Sequence, residues 1–147
     1  MNKMSKKTEY ALMALKLFQE VDAKAHSASN DQASGISPAV SAQDIAARTH
    51  APYEVIAKVL QILSSRGILK AEYGVMGGYQ LSKNLSEVSV HDLMDILESS
   101  TELTKCLGKD HECDLQSKCT ILNPVTNLNL KVQNFYKSIS LSEVLRV

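Results

Sequence analysis

The 147-residue chain has no tryptophan and only two phenylalanines. Any core must therefore come from Leu, Ile, Val, Ala and Met, a palette that leans towards helix. No apolar run approaches the roughly 18 residues of a membrane-spanning helix. Met1 to Lys7 lead into a stretch carrying Lys16, Gln19 and Glu20 rather than an apolar signal core, so a cytoplasmic protein is expected, with no membrane partner. Net charge is zero, with 16 basic and 16 acidic residues, which at first sight argues against a nucleic-acid partner. The three cysteines are an odd number, unsuited to a disulfide framework, and they lack the C-x-x-C knuckle of a zinc ribbon. There is no internal repeat. The Ser and His residues form no recognisable catalytic constellation, so an enzyme is not expected.

What is present is unevenly distributed. Residues 1–84 carry ten Lys or Arg against seven Asp or Glu, and residues 85–147 carry six against nine, so the front half is mildly basic. The length suits one domain able to bury about two thirds of its unfolded surface. All three cysteines, Cys106, Cys113 and Cys119, fall within fourteen residues, spaced C-x6-C-x5-C among Lys105, Lys109, Asp114 and Lys118. Buried structural cysteines have apolar neighbours, whereas these sit in a polar ligand loop. In a reducing compartment, soft thiolates select zinc, copper(I) or iron–sulfur clusters. The wide gaps favour a cluster over a single ion, with zinc or free thiols as the alternatives.

Apolar periodicity predicts a first helix over Thr8–Val21, carrying Ala11, Leu12, Leu15, Phe18 and Val21. Residues 22–38 are rich in Ser, Ala, Asn and Asp and read as a mobile insert. Ser41, three residues before Asp44, caps a short helix, and Thr49–Pro52 breaks it. Val55, Ile56, Val59, Leu60 and Leu63 mark another helix, which Arg66-Gly67 closes. Ile68–Ala71 and Tyr79–Leu81 read as a hairpin whose three glycines suggest positive backbone angles. Ser89 and Asp92 cap a further helix. Asn123-Pro124 opens a long last helix with Val125, Leu128, Val132, Phe135 and Ile139 at coiled-coil spacing, widened by Leu130, Tyr136 and Leu141. The expected fold is mainly α with a small β wing: a winged helix-turn-helix plus a long C-terminal dimerisation helix. Its parts are a DNA-binding domain at 1–90, a post-wing helix and cysteine loop at 91–122, and a dimerisation helix and tail at 123–147.

The run SAQDIAARTHAPYEVIAKVLQILSSRGILKAEYGVMGGYQLSK, followed by VSVHDLMDILE and the cysteine triplet, resembles the iron–sulfur cluster regulators of the Rrf2 family, bacterial winged-helix transcription factors. The most specific points are GGYQL at the wing exit and the triplet's place before the final helix. The resemblance implies a homodimer on pseudo-palindromic double-stranded promoter DNA. Each subunit would hold a 2Fe-2S or 4Fe-4S cluster on Cys106, Cys113 and Cys119, and recognition would begin at Pro52 to Lys58. The family usually has Arg before the first wing glycine, where this chain has Tyr73, which removes a cation suited to a narrow minor groove. Where some members supply a fourth ligand as His three residues after the last cysteine, this chain has Leu122. Others use an acidic residue on the partner's first helix, which matches Glu9 here, with His111 as the alternative.

Candidate DNA contacts are Ser5, Lys6, Lys7, Arg48, Pro52, Tyr53, Glu54, Lys58, Lys70 and Tyr73. Cations supply phosphate affinity, and recognition-helix side chains supply base readout. The expected function is a transcriptional regulator, whether repressor or activator, that senses cluster, redox or nitric oxide status. Its rivals are a same-fold switch using zinc or free thiols and a small electron-transfer iron–sulfur protein.

Overall fold

The computed structural model describes residues 4–28, 37–108 and 113–146. Helix α1 (Lys6–Ala28) buries Ala11, Ala14, Leu15 and Phe18 along one face. It runs seven residues past Val21, into the stretch expected to be a mobile insert. Alanines favour the extension, and side chains close on the last turns, where Ser27 Oγ donates to the Ala23 carbonyl at 2.8 Å and His26 Nδ1 lies 2.8 Å from the Asp22 carbonyl. Beyond the insert's centre, whose residues 29–36 lie outside those described, the Ser37 hydroxyl returns to hydrogen-bond Asp22.

Helix α2 (Ala42–Thr49) starts as expected, with the Ser41 hydroxyl accepting from the Asp44 N–H at 3.1 Å. It ends at His50, whose φ of 53° is the left-handed conformation that reverses the chain. Pro52 then caps α3 (Tyr53–Ser65), which buries Ile56, Val59, Leu60 and Leu63 and closes through Gly67 at φ 73°. Strands β1 (Leu69–Glu72) and β2 (Gly78–Leu81) pair antiparallel with Leu69 opposite Leu81 and Glu72 opposite Gly78. Of the wing glycines, Gly74 alone needs a positive angle, φ 128°. At Gly78 the requirement is space, because a Cβ there would lie 2.5 Å from the Val40 carbonyl group. That closeness serves a purpose: Val40 and Tyr79 exchange both backbone hydrogen bonds at 2.9 Å, giving β2 a second neighbour.

A 3-10 turn at Leu85–Glu87 inserts Leu85 into the core, and the reciprocal Ser89–Asp92 capping box opens α4 (Val90–Leu97). After the cysteine segment come α5 (Leu122–Ser138) and α6 (Leu141–Leu145). The second break corrects the expectation of one continuous stripe. Ser140 caps α6 by accepting from Glu143 N–H at 3.2 Å. Leu141 is fully buried in the main core, and Ile139 is the α5 C-cap, packed on that core. The Ile139 carbonyl accepts from Val90 N–H at 2.9 Å and Leu141 N–H donates to Val88 at 2.8 Å, which pins the C-terminal segment beside α4. The core thus draws on α1 to α4, β1 and α6 in a winged-helix arrangement, while α5 contributes one buried residue, Asn129.

Candidate nucleic-acid interface and cysteine segment

Because α3 buries its Ile56, Val59, Leu60 and Leu63 face, its opposite face carries Glu54 and Lys58 into solvent, and Tyr53, 55% exposed, stands at the first position of the helix. Helix α1 packs across α3, and its start brings Lys7 to the same place. Lys7, Glu54 and Lys58 rim a shallow groove of about 230 Å³ floored by Val55, Val59 and Ile62. Three of the expected DNA contacts are therefore neighbours across two helices. Pro52 and Arg48 are exposed at the turn. Lys6 is engaged by Glu9 at 2.5 Å, and this hydrogen bond and charge raise the Lys6 pKa.

The wing is short of free cations. Lys70 is paired with Glu72 at 3.0 Å, and the tip presents Tyr73, Val75 and Met76, exposed at 95%, 105% and 88%. Sequence reasoning passed over Val75 and Met76, although two large apolar residues between glycines in a tight hairpin have nowhere to be buried.

Cys106 lies on a 3-10 turn (Lys105–Leu107), and Cys119 follows another (Gln116–Lys118). All three thiols are free and half-buried, and Cys106 Sγ lies 3.2 Å from the Thr104 hydroxyl. Among the described residues no three His, Cys, Asp or Glu side chains converge closely enough to hold a metal ion. His111 lies outside those residues. Glu9, held by Lys6, is half-exposed near the start of α1. Chemically the three free thiols suit an iron–sulfur cluster.

Two polar anchors that the sequence reading missed flank this segment. At the end of α4, Glu98 Oε1 accepts from Ser5 N–H at 3.0 Å and from the fully buried Thr8 hydroxyl. Burial opposes the Glu98 charge, but the bonds from Thr8 and Ser5 and the nearby Lys7 outweigh it and hold the carboxyl below its usual range. Ser5, expected at DNA, is thus occupied within the fold. At the second anchor, Asn129 Oδ1 accepts from Leu103 N–H at 2.9 Å, its Nδ2 donates to Glu102 Oε2, and Gln133 Nε2 reaches the same oxygen at 3.1 Å. The outer face of α5 is apolar and open: Leu128 is 53% and Phe135 61% exposed, with Val125 and Val132 half-buried.

A family model described as Rrf2, iron-dependent transcriptional regulator, matches residues 4–146. The HTH-type transcriptional regulator IscR of Vibrio campbellii is 23% identical over 144 residues, 98% of this chain and 77% of that protein. The solved structure of T. potens IscR matches with a TM-score of 0.63 at 20% identity, covering 98% of this chain and 86% of that one. CymR, the global cysteine regulator of B. subtilis, matches with a TM-score of 0.65 at 19% identity, covering 99% and 97%. At such identities the structural likenesses establish the winged-helix fold, whereas the family model spans nearly the whole sequence. With its winged helix, its cysteine segment and its long penultimate helix in that order, the chain belongs to the Rrf2 family of transcriptional regulators.

Proposed function

We propose that the chain is a cytoplasmic, homodimeric regulator that binds promoter DNA through α3 and the start of α1, and whose affinity follows the state of an iron–sulfur cluster on Cys106, Cys113 and Cys119. The observation that carries this reading is three free, half-buried thiols, confined to one short segment between the winged helix and a helix whose apolar face is open. When bound, the cluster supplies a centre that oxidants and nitric oxide can alter. The chain's part would be to offer three thiolates and, across the dimer, the Glu9 carboxylate as an oxygen ligand, a harder donor to iron than a thiolate. For Glu9 to ligate, Lys6 must give it up. Lys7 and Lys58 act on phosphates, and Tyr53 and Glu54 face base edges, where a carboxylate suits a cytosine amino group. The α5 stripe of Val125, Leu128, Val132 and Phe135 covers its counterpart in the second subunit.

Anaerobic purification with iron, sulfide and visible absorbance measured together tests the cofactor. The expected result is a coloured protein that any one of Cys106→Ala, Cys113→Ala or Cys119→Ala bleaches; full iron and sulfide in the triple variant would overturn the reading. A second reading, a thiol switch without a cluster, is supported by the three free thiols and by the likeness to CymR, a cysteine regulator. There, two thiols become a disulfide, giving two protons and two electrons to an oxidant such as diamide. Metal-free protein whose DNA affinity changes with diamide and recovers with dithiothreitol would select it.

A further inference from the structure

Asn129 is 6% exposed in a helix whose neighbouring Leu128 and Leu130 are 53% and 50% exposed. For packing alone a leucine would serve as well, since a buried amide gains little net stability from bonds it could make with water. What the amide adds is register. Its oxygen takes the Leu103 N–H and its nitrogen the Glu102 carboxylate, and both bonds form together in only one placement of residues 102–103 on α5. Three residues on stands Cys106, which Thr104 contacts directly. Four residues before Glu102, Glu98 is fastened to Ser5 and Thr8 beside Lys7. One strap therefore touches the cysteine segment, α5 and the start of α1.

We propose that Asn129, Glu102 and the Leu103 amide form a latch between the cysteine segment and α5, and that its release carries a change at Cys106 through Glu98 to the DNA-facing end of α1. These are positioning residues, and the inference rests on the regulatory reading above. The two Asn129 bonds, and the Gln133 bond to the same Glu102 oxygen, can each be exchanged for water, which would give the strap a second arrangement for the state of the thiols to bias.

The test uses the full chain and a duplex that the protein selects from a random library. Affinity is measured on the cofactor-free reduced protein and again after iron–sulfide loading or diamide oxidation, and the ratio of the two is the readout. Wild type should show a ratio of about 5–150, in either direction, the usual range for coupled sites. Asn129→Leu should bring it to about one while reduced-state affinity stays within about twofold. Hydrogen exchange supplies a readout independent of DNA: the Leu103 amide should lose protection in Asn129→Leu and, equally, in wild type once the thiols are loaded or oxidised. Glu102→Ala, at a half-exposed position that tolerates truncation, should lower the ratio in the same direction and decides the matter if Asn129→Leu does not fold. A wild-type ratio above about five that survives in the folded variants overturns the latch alone. A wild-type ratio of one overturns the regulatory reading and the latch with it.

Discussion

Helix α3 has 13 residues and buries Ile56, Val59, Leu60 and Leu63, whereas α5 has 17 and buries Asn129 alone, leaving Leu128, Leu130 and Phe135 in solvent. The winged-helix body is held by apolar burial, each large aliphatic contributing about 1.5–3 kcal/mol. The described part of the region from Glu98 to Ser138 buries far less: Tyr136 packs partly buried on that body, Glu98 is hydrogen-bonded to Ser5 and Thr8, and the Glu102–Asn129 group joins its own parts. Apolar burial is non-directional and hard to undo in steps, while a hydrogen bond costs little to exchange for water. The first kind of region is suited to presenting a fixed surface to DNA and the second to changing state.

The sharpest way to break this comparison is to delete the same atoms in both regions. Leu60→Ala, in the fully buried body, should cost about 3 kcal/mol, read as a lower urea midpoint. Leu128→Ala should leave monomer stability within about 0.5 kcal/mol and act instead on sedimentation, shifting it towards monomer. Equal losses of stability would mean that α5 packs within its own subunit. The next effect belongs to the wing: Gly78→Ala pushes a methyl against the Val40 carbonyl and should cost about 2 kcal/mol. It should also expose the Tyr79 amide to hydrogen exchange, because that amide bonds to Val40.

The boundary between the two regions should answer to acid. The pKa of Glu98 is lowered in the fold, so its contribution is present above the ordinary glutamate value of about 4.3 and is lost as pH falls through the lower folded-state value. Glu98→Gln should therefore be less stable than wild type at pH 7, with the difference shrinking towards pH 3; a constant difference would remove the carboxylate as its cause. Smallest of all, His50→Gly should relieve left-handed strain in the body and raise stability by about 0.5 kcal/mol, the strain relief being partly offset by glycine's greater freedom when unfolded. Thermal melting would show it as a slightly raised midpoint.

Helix α3 was legible from its stripe of aliphatics, α2 and α4 from Ser41–Asp44 and Ser89–Asp92, and the break between α2 and α3 from Pro52. All of these signals act within one or two turns. Leu141 reads from sequence as part of the long helix because it lies about three turns beyond Leu130, on the same helical face; the local sign against it is Ser140, with Glu143 three residues on, which starts a new helix. The end of α1 was misread because Ala23 and Ala25 lend no apolar stripe yet favour helix strongly.

From the sequence alone came helices α1 to α5, the Ser41 and Ser89 caps, the wing and the confinement of every thiol to one segment, because capping, periodicity and composition are properties of neighbouring residues. Tertiary structure decided which faces are covered. It placed Leu141 in the core and left Leu128 outside it, brought Lys7 beside Lys58, set Gly78 against Val40, and joined Thr8 to Glu98 across 90 positions and Leu103 to Asn129 across 26. A carboxylate or an amide looks the same in a sequence whether it ends in water or against a partner far along the chain. Only the packing of α1, α4 and α5 determines which of these it meets.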